Sequence, residues 1–386
     1  MKIGIIGAGR LGICFALLLD RGGYTVRASD IRSNYIAGLQ RREITTNEPG
    51  VADMLRDSTI DFTTDTRSII QDSDVIYVMV ATPSRADGSY ETSAVDRVVE
   101  DVTECDFDIS GKILVIGCTT NPGDCQVIQD RLRPQGVHVL YNPEFIAQGS
   151  ILRDLEHADM VLIGGEDQGV MDQYQSVYYK IQPTMRPNVR TMSLTAAELV
   201  KIATNCFLTT KISYANMLGE VIIRSGLESD VDKALAAVGA DTRIGPKYMR
   251  YGYGYGGPCL PRDNRAFAHY AHKVGLDFPL GTIVDQFNRD HTQFIINYLI
   301  RQNTQDLPFY TPSLTYKPNT DIVEESQQLA VCEGLLAQGK TVYVRYSELL
   351  PVQVQQDLEQ RFGDRVRFVR IDDPVLRDTN LFGILL

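Results

Sequence analysis

No apolar run in this chain approaches the roughly 18 residues that a membrane-spanning helix needs, so none is expected. Met1 and Lys2 lead directly into a strand pattern and a glycine turn, with no h-region or cleavage site, so a secretory signal is not expected. Cysteine is sparse and odd in number: seven residues, at 14, 105, 118, 125, 206, 259 and 332, with no CxxC pair. A disulfide framework is thereby excluded, a reducing cytoplasmic setting is expected, and with five scattered histidines a structural metal is not expected. The net charge of −11 is relieved by no basic cluster, which argues against a nucleic-acid partner but not against an anionic small ligand at a local site. Solenoid repeats and low-complexity tracts are also missing. What is present is the composition of a globular protein, 44% hydrophobic and 23% charged, over 386 residues, a length for two or three domains.

The first ninety residues read as half of a dinucleotide fold. Residues 2–6 form a short apolar strand, GAGRLG (Gly7, Gly9, Arg10, Leu11 and Gly12 within it) follows at once, and an amphipathic helix runs to Gly22 and Gly23. The fingerprint sits where its chemistry requires, with glycines that allow a tight turn and backbone amides aimed at a pyrophosphate. A second strand, 24–28, leads to Asp30, eighteen residues after Gly12. An acid there accepts hydrogen bonds from ribose hydroxyls and repels a 2′-phosphate, which favours NAD; Arg32 nearby keeps NADP open. Buried-strand patterns at 74–80, 112–117 and 137–141 each end in a polar loop: Thr82 and Pro83 in ATPSRADGS, Thr119 in CTTNPGD, and Glu144 and Phe145 in NPEFIAQGS. Strand alternating with helix implies a parallel, doubly wound sheet through about residue 190, whose ligand edge carries these loops.

A helix is expected over 195–225, with Gly226 as its stop, and Lys201 and Asn205, four apart, share one face of it. Farther on, YGYGYGGPCLPRD (251–263) sets Gly252, Gly254, Gly256 and Gly257 among tyrosines, then Cys259 between two prolines. The prolines hold the thiol on a stiff turn, and Asp263 lies one turn on if a helix starts there.

Taken in order, GAGRLG, EPG (48–50), TPSRADGS (82–89), CTT (118–120), NPEF (142–145), AELVKIATNCFLTTKIS (197–213), RIG (243–245), YGGPCLPRD (255–263) and KPNTD (317–321) resemble the nucleotide-sugar 6-dehydrogenase family. That resemblance implies two Rossmann-like doubly wound α/β domains joined by a long central helix, the C-terminal one small. The corresponding bounds are 1–192 for NAD binding, 193–290 for a central helical region with the catalytic cysteine, and 291–386 for a small sugar-nucleotide domain. It implies NAD as cofactor, a nucleotide sugar as substrate, and a homodimer built on the long helix. Cys259 takes the place of the family's reactive thiol, Lys201 and Asn205 of its oxyanion donors, Glu144 and Asp263 of its acid–base groups, and Thr119 of its water-positioning threonine. Arg262 is expected near the cofactor. Arg243, Tyr248, Tyr251, Tyr253, Gly256 and Gly257, with Glu144, Phe145, Lys201 and Asn205, are expected around the substrate, the glycine-rich loop cradling it with backbone amides.

Three positions depart from the family pattern: Gln148 replaces a second acid, Arg262 a lysine, and Glu324 an arginine that reaches the neighbouring subunit's substrate. UDP-glucose is the favoured substrate. UDP-N-acetylhexosamine and GDP-mannose are alternatives, as is a degenerate homologue that binds without full turnover; an enzyme stopping at the aldehyde would leave Cys259 without a task. In the C-terminal third the helical reading breaks at 275–281, around Pro279, and resumes over 282–301. Strands are expected at 341–346 and 366–371, while two prolines within 306–313, where the family has an apolar strand, suggest that strands are missing from this domain.

Overall fold

The computed structural model describes every residue except 147, 148, 183, 185, 277–279, 319, 385 and 386, together with the side chains of 377 and 378. Gln148 and Pro279 therefore lie outside the described residues. The chain divides into two compact units, Met1–Ile202 and Ala203–Leu386.

The first unit is built on an eight-stranded sheet: β1 (Lys2–Ile6), β2 (Thr25–Ser29), β3 (Asp61–Thr63), β4 (Val75–Val78), β5 (Ile113–Ile116), β6 (His138–Tyr141), β7 (Val161–Gly164) and β8 (Val189–Met192). Their order is β3-β2-β1-β4-β5-β6-β7-β8, parallel throughout except where β7 meets β6. The first six strands follow the 3-2-1-4-5-6 order of a dinucleotide fold, and the chain changes direction across the sheet between β1 and β4. Period-two side chains explain why these strands read as continuous apolar runs. Val75 and Tyr77 of β4 enter one core while Ile76 and Val78 enter the other, and β5 divides Ile113 and Val115 from Leu114 and Ile116 in the same way. Helices cover both faces, so both must be hydrocarbon.

A 31-residue helix, Leu194–Arg224, follows β8, and the boundary between the units falls inside it. Gly226 ends it as expected, with φ +74° and its amide on the Ile223 carbonyl at 3.0 Å. Helices Leu260–Lys273 and Leu280–Gln302 come next in the second unit. Its sheet has the order β11-β10-β9-β12, all parallel, from β9 (Phe309–Thr311), β10 (Val342–Arg345), β11 (Val366–Val369) and β12 (Phe382–Gly383). The strand thought to be missing is β9, an interior strand lying between Pro308 and Pro312. Neither proline disturbs the ladder, because Pro308 takes part through its carbonyl, which accepts from the Phe382 amide at 2.8 Å. Phe309, Val342, Val344 and Val366 close this sheet's core with Ile295, Leu299, Val331 and Leu335 from neighbouring helices.

Candidate functional site

The turn after β1 uses its glycines for three different reasons. Gly7 has φ +98°, and its amide donates to the Ser29 carbonyl at 2.9 Å, which ties the turn to the end of β2. A Cβ on Gly12 would lie 2.1 Å from the Gly7 carbonyl oxygen, so helix Arg10–Arg21 could not approach the turn so closely. At Gly9, the N-cap, a Cβ would meet no heavy atom within 4 Å. The turn thus leaves open space beside the first-turn amides, which an α-helix leaves without intrahelical acceptors, and a pyrophosphate fits there. Arg10 is exposed at this helix start, and Leu11 is anchored in the core beneath. Asp30 follows β2 and holds Arg32 in a fork, Nε to Oδ1 and an η-nitrogen to Oδ2, both at 2.8 Å. Burial works to raise the Asp30 carboxyl, but the bonds from Arg32 outweigh it and hold the group below its usual range. Arg32 also lies over the Tyr35 ring at 4.2 Å, so the cation that kept a 2′-phosphate in play is engaged elsewhere.

Loops after β4 and β5 meet at the same sheet edge. Thr82 is buried, Pro83 exposed and Thr119 half-buried. Asn121 joins the two loops, accepting from the Tyr90 amide at 2.8 Å and donating to the Tyr90 carbonyl at 3.1 Å.

Glu144, just beyond β6, is half-buried. Burial pushes its carboxyl up to about 7, against the opposing pull of a Tyr178 hydrogen bond (3.1 Å) and of the Lys201 charge. Lys201 is itself buried, and its Nζ donates to the Glu144 carbonyl at 2.7 Å while lying 4.7 Å from the centre of the Phe145 ring.

In the second unit Cys259 is the N-cap of helix Leu260–Lys273, with Pro261 in the first turn, where a missing amide proton does no harm. Asp263 is one turn on, its amide bonded to the Cys259 carbonyl at 2.9 Å. Its buried carboxylate accepts from Asn205 Nδ2 at 2.6 Å, and the Arg262 Nε stands 3.7 Å from its other oxygen. Of the seven cysteines Cys259 is the exposed one. Burial pushes Cys14, Cys206 and Cys332 up to about 12, where a thiolate is scarce at neutral pH.

The glycine-rich loop spends three of its amides within the chain. Its amides at 252, 255 and 257 are taken by the protein itself: Gly252 donates to Asn216 Oδ1, Tyr255 to Asn288 Oδ1 and Gly257 to the Glu324 carbonyl. Tyr251 packs with Ala215 and Met249, and Tyr253 against the second sheet's core. These two rings hold the loop in place, because glycine on either side lets backbone and neighbours close over them. Gly256 and Gly257 lie equally close to the protein, under Glu325 and Tyr316. Arg243 and Tyr248 do face solvent, Arg243 forked onto Asp241. Glu324 contributes its carbonyl to this packing and leaves its carboxylate exposed.

The sequence profile of the UDP-glucose/GDP-mannose dehydrogenase family, NAD binding domain, matches residues 1–182, and that of the central domain matches 195–290. UDP-glucose 6-dehydrogenase TuaD of Bacillus subtilis is 30% identical over 88% of this chain and 75% of its own length. The chain belongs to the UDP-glucose/GDP-mannose dehydrogenase family. A UDP-glucose 6-dehydrogenase of Pseudomonas aeruginosa is 29% identical over 89% of this chain and 78% of its own. Among solved structures, a UDP-glucose dehydrogenase from Pyrobaculum islandicum superposes with a TM-score of 0.83 at 26% identity, covering 99% of this chain and 90% of that one. A UDP-D-ManNAc dehydrogenase from Pyrococcus horikoshii shares the fold, with a TM-score of 0.77 at 22% identity over 100% and 99% of the two chains. The cofactor of this dehydrogenase is NAD, in keeping with the open turn at Gly9 and with Asp30.

Two carboxylates that escape sequence reasoning support the family motifs. Glu198, fully buried, accepts from Thr120 Oγ1 (2.8 Å) and the amides of Gly123 (2.7 Å) and Cys125 (2.9 Å), fastening the loop that carries Thr119 to the start of the long helix. Its position one turn before Lys201 was the available signal. Glu48 of EPG accepts from the amides of Gly149 and Ile151, the latter at 3.1 Å, and so holds the far end of the segment after Glu144.

Proposed function

We propose that the protein oxidises the C6 alcohol of a nucleotide sugar to the uronic acid in two NAD-dependent steps, through a thioester on Cys259, with UDP-glucose as the first substrate to test. The observation that carries this reading is an exposed thiol at the start of a helix whose first turn holds a buried aspartate bonded to Asn205. NAD, held by Gly7, Gly9, Gly12 and Asp30, supplies the acceptor for each of the two hydrides. The Cys259 thiolate adds to the C6 aldehyde left by the first oxidation, forming a C–S bond as the carbonyl electrons move to oxygen. Lys201 and Asn205 donate to that oxygen, which is where preorganised donors contribute most. Loss of the second hydride leaves the thioester. Glu144 or Asp263 then takes a proton from a water aligned by Thr119; the new C–O bond forms, the C–S bond breaks, and Cys259 leaves as thiolate. Arg243, Tyr248 and the aromatic wall at Phe145 are assigned to the sugar nucleotide.

UDP-glucose is favoured by the names of the relatives at about 30% identity. A homodimer is part of the reading, because Phe207, Tyr214, Met217 and Val221 are exposed along one helix at near-heptad spacing, Phe207 to 70%. A second copy of this chain would cover them, and Phe207→Glu should convert the particle seen by light scattering from dimer to monomer.

The deciding assay counts NADH per sugar with UDP-glucose, UDP-N-acetylmannosamine and GDP-mannose. Two NADH per uronate support the proposal, whereas binding without NADH production makes the chain a sugar-nucleotide-binding homologue. Cys259→Ser should abolish uronate formation, and unchanged uronate output would end the thioester route.

A further inference from the structure

We propose that Tyr178 is a positioning residue for Glu144, a hydroxyl with two settings that hydrogen-bonds this carboxyl whether it is ionised or protonated. The Tyr178 hydroxyl lies 3.1 Å from Glu144 Oε1 and also reaches Asn142 Oδ1. The Asn142 amide is not free to turn, because its Nδ2 donates to the Leu162 carbonyl at 2.8 Å. Its oxygen therefore faces the tyrosines, and Tyr174 donates to the same atom. An amide oxygen has two lone pairs, so Tyr174 occupies one and leaves the other for Tyr178.

Tyr178 has a single proton and two neighbours that can accept it. With Glu144 ionised, the proton goes to the carboxylate, the stronger acceptor. When Glu144 is protonated, its own O–H donates to the Tyr178 oxygen, and the phenol proton swings back to Asn142. Glu144 takes up the one proton, and Tyr178 keeps its own while its hydroxyl rotates. A half-buried carboxyl here then keeps a hydrogen-bond partner in both protonation states, which suits a group that takes up and releases a proton.

The other groups facing Glu144 do not compete for this role. Burial pushes the phenols of Tyr77 on β4 and of Tyr174 and Tyr178 well above their ordinary range, so they stay protonated. Lys201, from the long helix, directs its Nζ to the Glu144 carbonyl instead. Tyr174 and Tyr178 come from the neighbouring helices Gln168–Tyr174 and Ser176–Ile181, which explains how two hydroxyls converge on one amide oxygen.

The consequence for turnover rests on Glu144 acting as the base proposed above; the hydroxyl assignment does not, and it is tested without substrate. Difference infrared titration of the full chain, with Glu144→Gln as reference, reads the Glu144 carboxyl directly. Tyr178→Phe should move its midpoint up by roughly one to two pH units, the worth of a lost hydrogen bond to a charged group. Replacing Tyr178 with 3-fluorotyrosine, which keeps the ring packing and strengthens the donor, should move the midpoint down. An unchanged midpoint in both variants, or shifts of the same sign, overturns the proposal. If Tyr178→Phe does not fold, the fluorinated protein decides alone. Should the shifts appear while Glu144→Gln still makes uronate at the full rate, the hydroxyl assignment stands and Glu144 is not the base.

Discussion

At Gly9 an added Cβ would meet nothing within 4 Å, whereas at Gly254, Gly256 and Gly257 it would strike Asn288, Glu325 and Tyr316 at 2.1, 2.3 and 2.5 Å. Both segments are dense in glycine, and in sequence they make the same promise of backbone close to a ligand. The first turn leaves space beside its helix start. In the second, the protein's own side chains and carbonyls fill the space. Glycine density reports that something comes close to the backbone, and only the fold says whether that is a ligand or another part of the chain.

Substitutions can break or sharpen this contrast. The largest effect is expected at Gly257, where alanine meets the Tyr316 ring and must adopt φ +80°. Strain and overpacking together should lower stability by about 3 kcal/mol, read as a fall in the denaturant midpoint. Glu144→Gln probes the half-buried carboxyl of the first unit through pH. The folded carboxyl titrates near 7 against an ordinary 4.5, so the folded state binds the extra proton between those values. Stability from this group is fully present below pH 4.5 and is lost as pH rises through 7. Glutamine should remove that slope and make the variant more stable above neutral pH by about 3 kcal/mol at most, checked by urea unfolding across pH.

Gly12→Ala should cost about 1–3 kcal/mol and abolish NAD binding, since the helix must move off the Gly7 carbonyl. Gly9→Ala sharpens the comparison most: its unfolding midpoint should match the parent, while NAD binding by calorimetry weakens on the order of tenfold, about 1.4 kcal/mol. A fallen midpoint at Gly9, or an unchanged one at Gly257, would reverse the contrast. The smallest effect is expected from Asp30→Asn, which removes an ion pair to Arg32 that is exposed on the arginine side and worth under ~1 kcal/mol. It should nevertheless relax the preference for NAD over NADP.

Much of this architecture is written in local pattern. Strand β1, the glycine turn, Asp30 and the long helix up to Gly226 follow from period-two and period-3.6 spacing and from stop residues, each a property of a few adjacent side chains. The same holds for Cys259 and Asp263, one turn apart once Pro261 starts a helix. Tertiary structure alone decided the rest: that β9 forms between two prolines, that the amides of 252, 255 and 257 are spent internally, and that Asn142, Tyr174 and Tyr178 gather around Glu144. These outcomes depend on partners distant in the chain, such as Asn288 for Tyr255 or Leu162 for Asn142. No spacing rule reaches them, because a hydrogen bond or a buried pKa is fixed by what the completed fold places beside a group and not by its neighbours in sequence.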